Sequence, residues 1–265
     1  MPQPLSVVVI TFNEAENIER CIQSVAGIAD EVLVVDSFSA DNTPELARSL
    51  GARVLQRPWP GYALQREWAA QEAVHDWVLA LDADEYLSPE LRSSILSIKS
   101  SPQADAYSFN RLNRIGQYWV RYGGWYPDRK LRLFDRRKVR FLDAGGHDTV
   151  QPVTGATQQW LPGDLLHHAN ADIHSRLAQV NKLGTDSALY MFQNGKRSSW
   201  WKLLLKPPFR FVKEYILRRG FLDGFYGLVI AASSAQYVFW REFKIMEMQR
   251  KEKYWQVFQN NNLNN

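Results

Sequence analysis

Three apolar runs of strand length, each followed by a stretch with helical spacing, restrict the first 100 residues to few folds. Leu5 to Ile10 reads LSVVVI, the near-continuous apolar run of a strand covered on both faces. It breaks at Thr11-Phe12-Asn13-Glu14, after which Ile18, Cys21, Ile22, Val25 and Ile28 recur at helical spacing. Asn13 and Glu16 stand in the pattern of a capping box. Glu31 to Asp36 (EVLVVD) repeats the plan, with Thr43-Pro44 as N-cap and first helical residue. A strand over 52–56, a helix over 63–74 and a strand over 77–81 follow, and Ser88-Pro89 opens a further helix. Alternation of this kind predicts an α/β fold with a mostly parallel sheet, right-handed crossovers and helices on both faces. Ligands of such sheets gather at the carboxyl ends of the strands.

The fourth strand ends unusually. Leu79-Ala80-Leu81 runs directly into Asp82-Ala83-Asp84-Glu85. On an extended chain Asp82 and Asp84 lean toward one face. Two hard oxygen ligands there suit Mg²⁺ or Mn²⁺, which keep waters and substrate phosphates as their other ligands. A solvated turn is the competing reading, and Thr11, Asn13 and Asp36 taken singly read as helix caps or turn formers. Their coincidence at the ends of strands one, two and four favours a site. No Gly-x-Gly-x-x-Gly follows the first strand and no Gly-Lys-Ser/Thr occurs, which excludes dinucleotide-binding and P-loop architectures. A phosphatase with an aspartyl nucleophile would carry its acids after the first strand, and a sugar nucleotidyltransferase would have a glycine-rich loop where TFNE stands.

Taken together, V-V-V-I-T-F-N-E at 7–14, V-V-D-S-F-S-A-D-N-T at 34–43 and L-D-A-D-E at 81–85 resemble the inverting family 2 glycosyltransferases of GT-A fold. W-P-G-Y-A-L-Q-R at 59–66 and G-F-L-D-G at 220–224 extend the resemblance toward bacterial lipopolysaccharide-core β-1,4-glucosyltransferases. The resemblance implies that Thr11, Phe12, Asn13 and Glu14 line the base and ribose of a nucleotide-sugar donor, with Asp36 near the base. Ser37 stands where many members carry a second acid. Gln65 and Arg66 would face the nucleotide, Arg66 toward phosphate. Asp82, with Ala83 beside it, would reach the ribose side, and Asp84 would hold the metal. After strand-like segments at 106–111, 130–135 and 139–143, Gly145-Gly146-His147-Asp148 makes Asp148 the implied catalytic base, where a turn acid is the plain alternative. His167 matches the family position for a further metal ligand. From the residues alone, His167 and His168 read as a partly buried pair pointing to opposite strand faces. The stretch from Trp119 to Arg132, with Trp125 and Tyr126, reads as a sugar cradle or as packing around Gly123-Gly124.

The last third changes character. From Lys196 to Lys253 there are thirteen Lys/Arg against five Asp/Glu, while the whole chain is only +4, so the remainder is net acidic. Trp200, Trp201 and Phe209 interleave with Lys202, Lys206 and Arg210, the composition of a helix lying in an anionic membrane interface. A solvated basic face over a helical subdomain is the alternative; no nucleic-acid motif accompanies the charge. A single cysteine, Cys21, fits a reducing compartment. The first residues run straight into a strand rather than a signal peptide, and Phe225 to Trp240 is short for a membrane span.

These features predict a GT-A domain over 1–195, with a nucleotide-sugar half over 1–100 and an acceptor half over 101–195. A basic-aromatic helical region over 196–258 and an Asn-rich disordered tail over 259–265 follow. The expected activity is metal-dependent transfer of a hexose, glucose from UDP-glucose, with inversion to a lipid-linked core sugar, at the cytoplasmic face of the membrane. Another family 2 envelope-glycan transferase and a non-catalytic nucleotide-sugar-binding protein are the alternatives; the presence of both Asp84 and Asp148 speaks against the second.

Overall fold

The computed structural model describes the backbone at residues 2–143, 148–152 and 155–263, and side chains outside 142–154 and 253–265. The chain divides into two compact units. The first comprises residues 2–114 and 126–169, the second 115–125 and 170–263. The segment 170–195 groups with the second unit, as does 115–125.

The first unit opens with β1 (Leu5–Thr11), α1 (Ile18–Ser24), β2 (Glu31–Asp36), α2 (Thr43–Ser49), β3 (Arg53–Gln56), α3 (Tyr62–Glu72) and β4 (Trp77–Asp82). β5 (Glu85–Leu87), α4 (Pro89–Ser100), β6 (Ala106–Ile115), the short β7 (Tyr118–Trp119) and β8 (Asp128–Asp135) follow. β9 (Val139–Asp143), β10 (Asp148–Pro152) and β11 (Gln158–Asn170) complete the strands. The sheet runs β3-β2-β1-β4-β8-β6-β11-β5. Its first four strands are parallel, in the expected doubly wound order. The later strands join antiparallel at β4–β8, β8–β6 and β11–β5. This is the GT-A type of α/β architecture.

All seven residues of β1 are buried, and the period of two assigns them to opposite faces. Val7 and Val9 pack with Leu79, Leu81 and the apolar stripe of α1. Val8 and Ile10 pack with Val78, Ala80 and the alanines of α3. Coverage on both faces explains why the run is not amphipathic. Register then aligns the strand ends: Thr11 lies opposite Asp36, Ile10 opposite Asp82, and Asp36 opposite Gln56.

The capping box expected at Asn13 does not form. Asn13 has φ +55°, a single turn intervenes, and Asn17 is the N-cap of α1. Ser88 does cap α4, its hydroxyl accepting from Leu91 N–H, with Pro89 behind it.

The second unit is helical: α5 (Ile173–Gln193), α6 (Trp200–Val212), a π-helical turn (Lys213–Leu217), a 3₁₀ turn (Gly220–Asp223) and α7 (Gly224–Leu263). α7 thus continues into the Asn-rich end for which composition predicts disorder. G-F-L-D-G is a packing motif. Asp223 is buried and accepts from Tyr118 Oη and from the N–H groups of Arg121 and Tyr122 at 2.8–3.2 Å. A Cβ on Gly220 would stand 2.7 Å from the Glu214 carbonyl oxygen, so only glycine fits. Trp125 stacks on the Arg176 guanidinium at 4.8 Å, which makes it packing rather than part of a cradle. Among the described residues, no helix is long and apolar enough to cross a membrane.

Candidate active site

Two loops at the carboxyl rim are stitched together by side-chain-to-backbone hydrogen bonds. After β1, Asn13 N–H donates to Ser39 Oγ at 2.7 Å, Asn13 Oδ1 accepts from Ala40 N–H at 2.7 Å, and Glu14 N–H donates to Thr43 Oγ1 at 2.8 Å. The αL backbone of Asn13, a conformation this residue type tolerates, turns the amides toward the second loop. Asp36 is fully buried. Its carboxylate accepts from Ser39 N–H at 3.0 Å, from the Ser39 hydroxyl and from Gln56 Nε2 at 3.1 Å. Asp36 therefore shapes the loop from beneath. Phe12 and Phe38 stand exposed on the two loops at 55% and 54%. Thr11 Oγ1 and Gln65 Oε1 are buried polar atoms with no hydrogen-bond partner.

The two aspartates after β4 do not lean together, because the strand ends at Asp82 and Ala83-Asp84 form a turn before β5. Asp82 turns inward. Arg66 Nη2 donates to both of its oxygens at 2.5 and 2.7 Å, and Arg132 Nη2 reaches it at 3.3 Å. Glu85, fully buried, accepts from Asp82 N–H at 3.0 Å and pairs with Arg111 and Arg132 at 3.1 and 3.4 Å. Burial works to raise both carboxyls, but the guanidiniums outweigh it and hold them below the usual carboxylate range.

Asp84 faces outward. Its Oδ2 lies 3.1 Å from His167 Nε2, and His167 Nδ1 lies 2.6 Å from Asn113 Oδ1. An amide oxygen only accepts, so Nδ1 carries the proton that bonds Asn113. In the neutral ring this leaves the Nε2 lone pair facing a carboxylate oxygen. Two acceptors at that distance need a proton or a cation between them. The β11 backbone fixes the arrangement: His168 N–H donates to the Asp84 carbonyl at 3.1 Å, and His167 registers opposite Glu85. Glu14 belongs to the same field. Its carboxyl is raised by burial and by the negative charges of Asp84, Asp41 and Asp82, against the bond from Asn17. A one-carboxylate, one-imidazole pair with further acids nearby fits Mg²⁺ or Mn²⁺ with most positions left to diphosphate and water. Among the described residues, no third His, Cys, Asp or Glu completes a metal cluster.

The family model described as Glycosyl transferase family 2 matches residues 6–161. The chain belongs to glycosyl transferase family 2. Over 258 residues it is 33% identical to an uncharacterized glycosyltransferase of Rickettsia bellii, covering 94% of this chain and 88% of that one. It is 31% identical over 255 residues to the lipopolysaccharide core biosynthesis glycosyltransferase LpsC of Rhizobium meliloti, covering 92% of each. A solved structure of glucosyl-3-phosphoglycerate synthase from Mycobacterium tuberculosis, in complex with Mn²⁺, uridine diphosphate and glucosyl-3-phosphoglycerate, is 26% identical over 42% of this chain and 44% of that one, with a TM-score of 0.36.

In this family 2 glycosyltransferase the expected site residues make the following contacts. Arg66, expected toward phosphate, grips Asp82 because a guanidinium only 2% exposed needs an anionic partner. Ala83 packs its methyl group into the core. Gln65 is buried, its Nε2 donating to Ser37 Oγ at 3.3 Å. His168 points away from His167, as strand alternation predicts, toward Arg20 at 2.7 Å and Tyr86 Oη at 3.2 Å. Its pKa is lowered to about 4 by burial and by the cations of Arg114 and Arg20. Asp148 begins β10 opposite Asp143; its side chain lies outside the described residues, as do Gly145, Gly146 and His147. Sequence reasoning missed Asn113, Arg111 and Arg132. Arg111 and Asn113 share a face of β6 with buried Tyr107, Phe109 and Ile115, which was the available signal for those two; the face of β8 that carries Arg132 gave none.

Proposed function

We propose that the enzyme transfers a hexose, glucose from UDP-glucose, with inversion onto a sugar of a lipid-linked core oligosaccharide at an anionic membrane surface. A carboxylate and an imidazole facing each other at the rim, Asp84 Oδ2 and His167 Nε2 3.1 Å apart, carry the reading, because such a pair can hold a divalent cation. Asp84 and His167 would hold a divalent cation, which when bound neutralises charge on the leaving diphosphate. Asn113 keeps the His167 tautomer that offers Nε2. The Asn13 and Ser39 loops, pinned by Asp36, form the floor for base and ribose. Thr11 Oγ1 and Gln65 Oε1 offer unsatisfied polar atoms there. Asp148 takes the proton of the acceptor hydroxyl on the face opposite the leaving group, so that one carboxylate suffices for inversion. Likeness to LpsC supports the core-oligosaccharide acceptor.

The test is a donor-hydrolysis screen of purified protein across UDP-, GDP-, dTDP- and CMP-sugars with Mn²⁺. UDP-glucose should be turned over fastest. Preference for a GDP- or dTDP-sugar would overturn the donor assignment, and turnover unaffected by chelation would overturn the metal.

A further inference from the structure

We infer that α6 and the following 3₁₀ turn form a monotopic insertion surface, held in the headgroup zone of a lipid bilayer by apolar burial more than by charge. The inference rests on the membrane-side reading above and specifies its mode.

The packing of α6 is inverted relative to an ordinary surface helix. Its inward side is narrow, with Leu203 and Pro207 buried. Two of the basic residues are tied to buried acids while keeping 41% side-chain exposure: Lys206 Nζ lies 2.7 Å from Glu242, which is 1% exposed, and Arg210 pairs with Glu214, also 1% exposed. The outward side carries Trp201, Leu204, Leu205, Phe209 and Val212, spaced i, i+3, i+4, i+8, i+11, with Trp201 74% and Phe209 63% exposed. Stacking of Phe211 on Tyr215 and edge contact of Tyr215 with Phe221 continue this surface into the 3₁₀ turn, where Phe221 and Leu222 are exposed. A helix that turns a row of large apolar groups outward, with cations at its flanks, is arranged for a bilayer interface.

Two features choose bilayer over a second copy of the chain. Between Lys196 and Asp223 there are eight Lys/Arg, and the only acids, Glu214 and Asp223, are buried. The rim is thus predominantly cationic, with Glu252 paired to Arg197 at one end, complementary to lipid phosphate and repulsive across a self-complementary dimer. Depth follows from the backbone. Pro207 and Pro208 have no N–H to offer the carbonyls of Leu203 and Leu204. Such carbonyls are tolerated in the hydrated headgroup zone and not in hydrocarbon. At 13 residues the helix is about 20 Å long, too short to span.

Vesicle co-sedimentation tests this with the full chain. Wild type should bind phosphatidylglycerol-containing vesicles and remain bound at about 0.5 M NaCl, where exposed charges are screened. Trp201→Ser/Leu205→Ser/Phe209→Ser should weaken binding by roughly a hundredfold while donor hydrolysis is retained. Release of wild type by salt would overturn insertion and leave electrostatic docking. Failure to bind at any salt would overturn membrane docking while leaving the donor chemistry standing. A lipid-free dimer dissolved by the triple variant would assign the surface to a second copy and overturn the proposal.

Discussion

The rim of the α/β unit and the outer surface of the helical unit both rest on buried ion pairs, yet they present opposite faces. At the rim, Asp82 and Glu85 are neutralised by Arg66, Arg111 and Arg132, while Asp84, 25% exposed, faces His167 instead of a guanidinium. In the helical unit, Glu242 and Glu214 tether Lys206 and Arg210 at the flank of α6, and the outward stripe between the cations is apolar. In each case a buried acid takes up nearby cations and other groups face the exterior: Asp84 at the rim, and Trp201, Leu205 and Phe209 on α6. Residues adjacent in sequence, such as Asp82 and Asp84, can therefore hold separate roles, one structural and one chemical.

The sharpest break in this comparison comes from separating those two. Asp84→Ala should lower turnover by roughly three orders of magnitude or more, since metal charge stabilisation is worth several kcal/mol. It should also abolish Mn²⁺-dependent UDP binding in calorimetry and barely move thermal stability. Unchanged Mn²⁺·UDP affinity would remove Asp84 from the site.

Asp148→Asn should cost about two orders of magnitude in turnover and leave donor affinity near wild type. Near-normal transfer would move the base elsewhere, but not to Glu85, which is buried and paired.

The ion pairs themselves sharpen the contrast through stability. Asp82→Ala removes the bidentate carboxylate of Arg66 and one of the two carboxylates of Arg132, whose side chains are 3% and 4% exposed, and should destabilise by about 3 kcal/mol in denaturant unfolding. Glu242→Ala frees Lys206, whose side chain is 41% exposed and can swing into water, but also takes the acceptor from the buried Ser198 hydroxyl and from Arg241, and should cost about 2 kcal/mol. Equal losses would mean that the two clusters are built alike.

The smallest effect is in pH. His168 has a folded pKa of about 4 against an ordinary 6.5, so the unfolded chain takes up a proton first. Its contribution is complete above about pH 6.5 and is lost as pH falls toward 4. Asp82, also depressed, contributes fully above its unfolded value and loses that contribution only in stronger acid. His168→Gln should flatten the stability curve between pH 6.5 and 4 and leave the acid limb below it.

Much of the fold was legible in the chain. A run such as LSVVVI can only be a strand covered on both faces, and its alternation with helical stripes dictates parallel neighbours by local sterics and periodicity. The rim position of Thr11, Asp36 and Asp82 followed from the same alternation. What remained hidden involved partners far apart in sequence. The split of Asp82 from Asp84 required Arg132, 50 residues on, and the offered Nε2 of His167 required Asn113, 54 residues before it. The tether of Lys206 required Glu242, 36 residues away. Composition alone counted Lys206 as a lipid-facing cation. Burial sets each ionised group's need for a partner, and which partner meets that need is settled only when the chain closes on itself. The sequence by itself determined the sheet, its two apolar faces and the rim where chemistry gathers; tertiary structure alone decided which charges are sealed and which are presented, because electrostatic pairing depends on distance in space rather than on spacing along the chain.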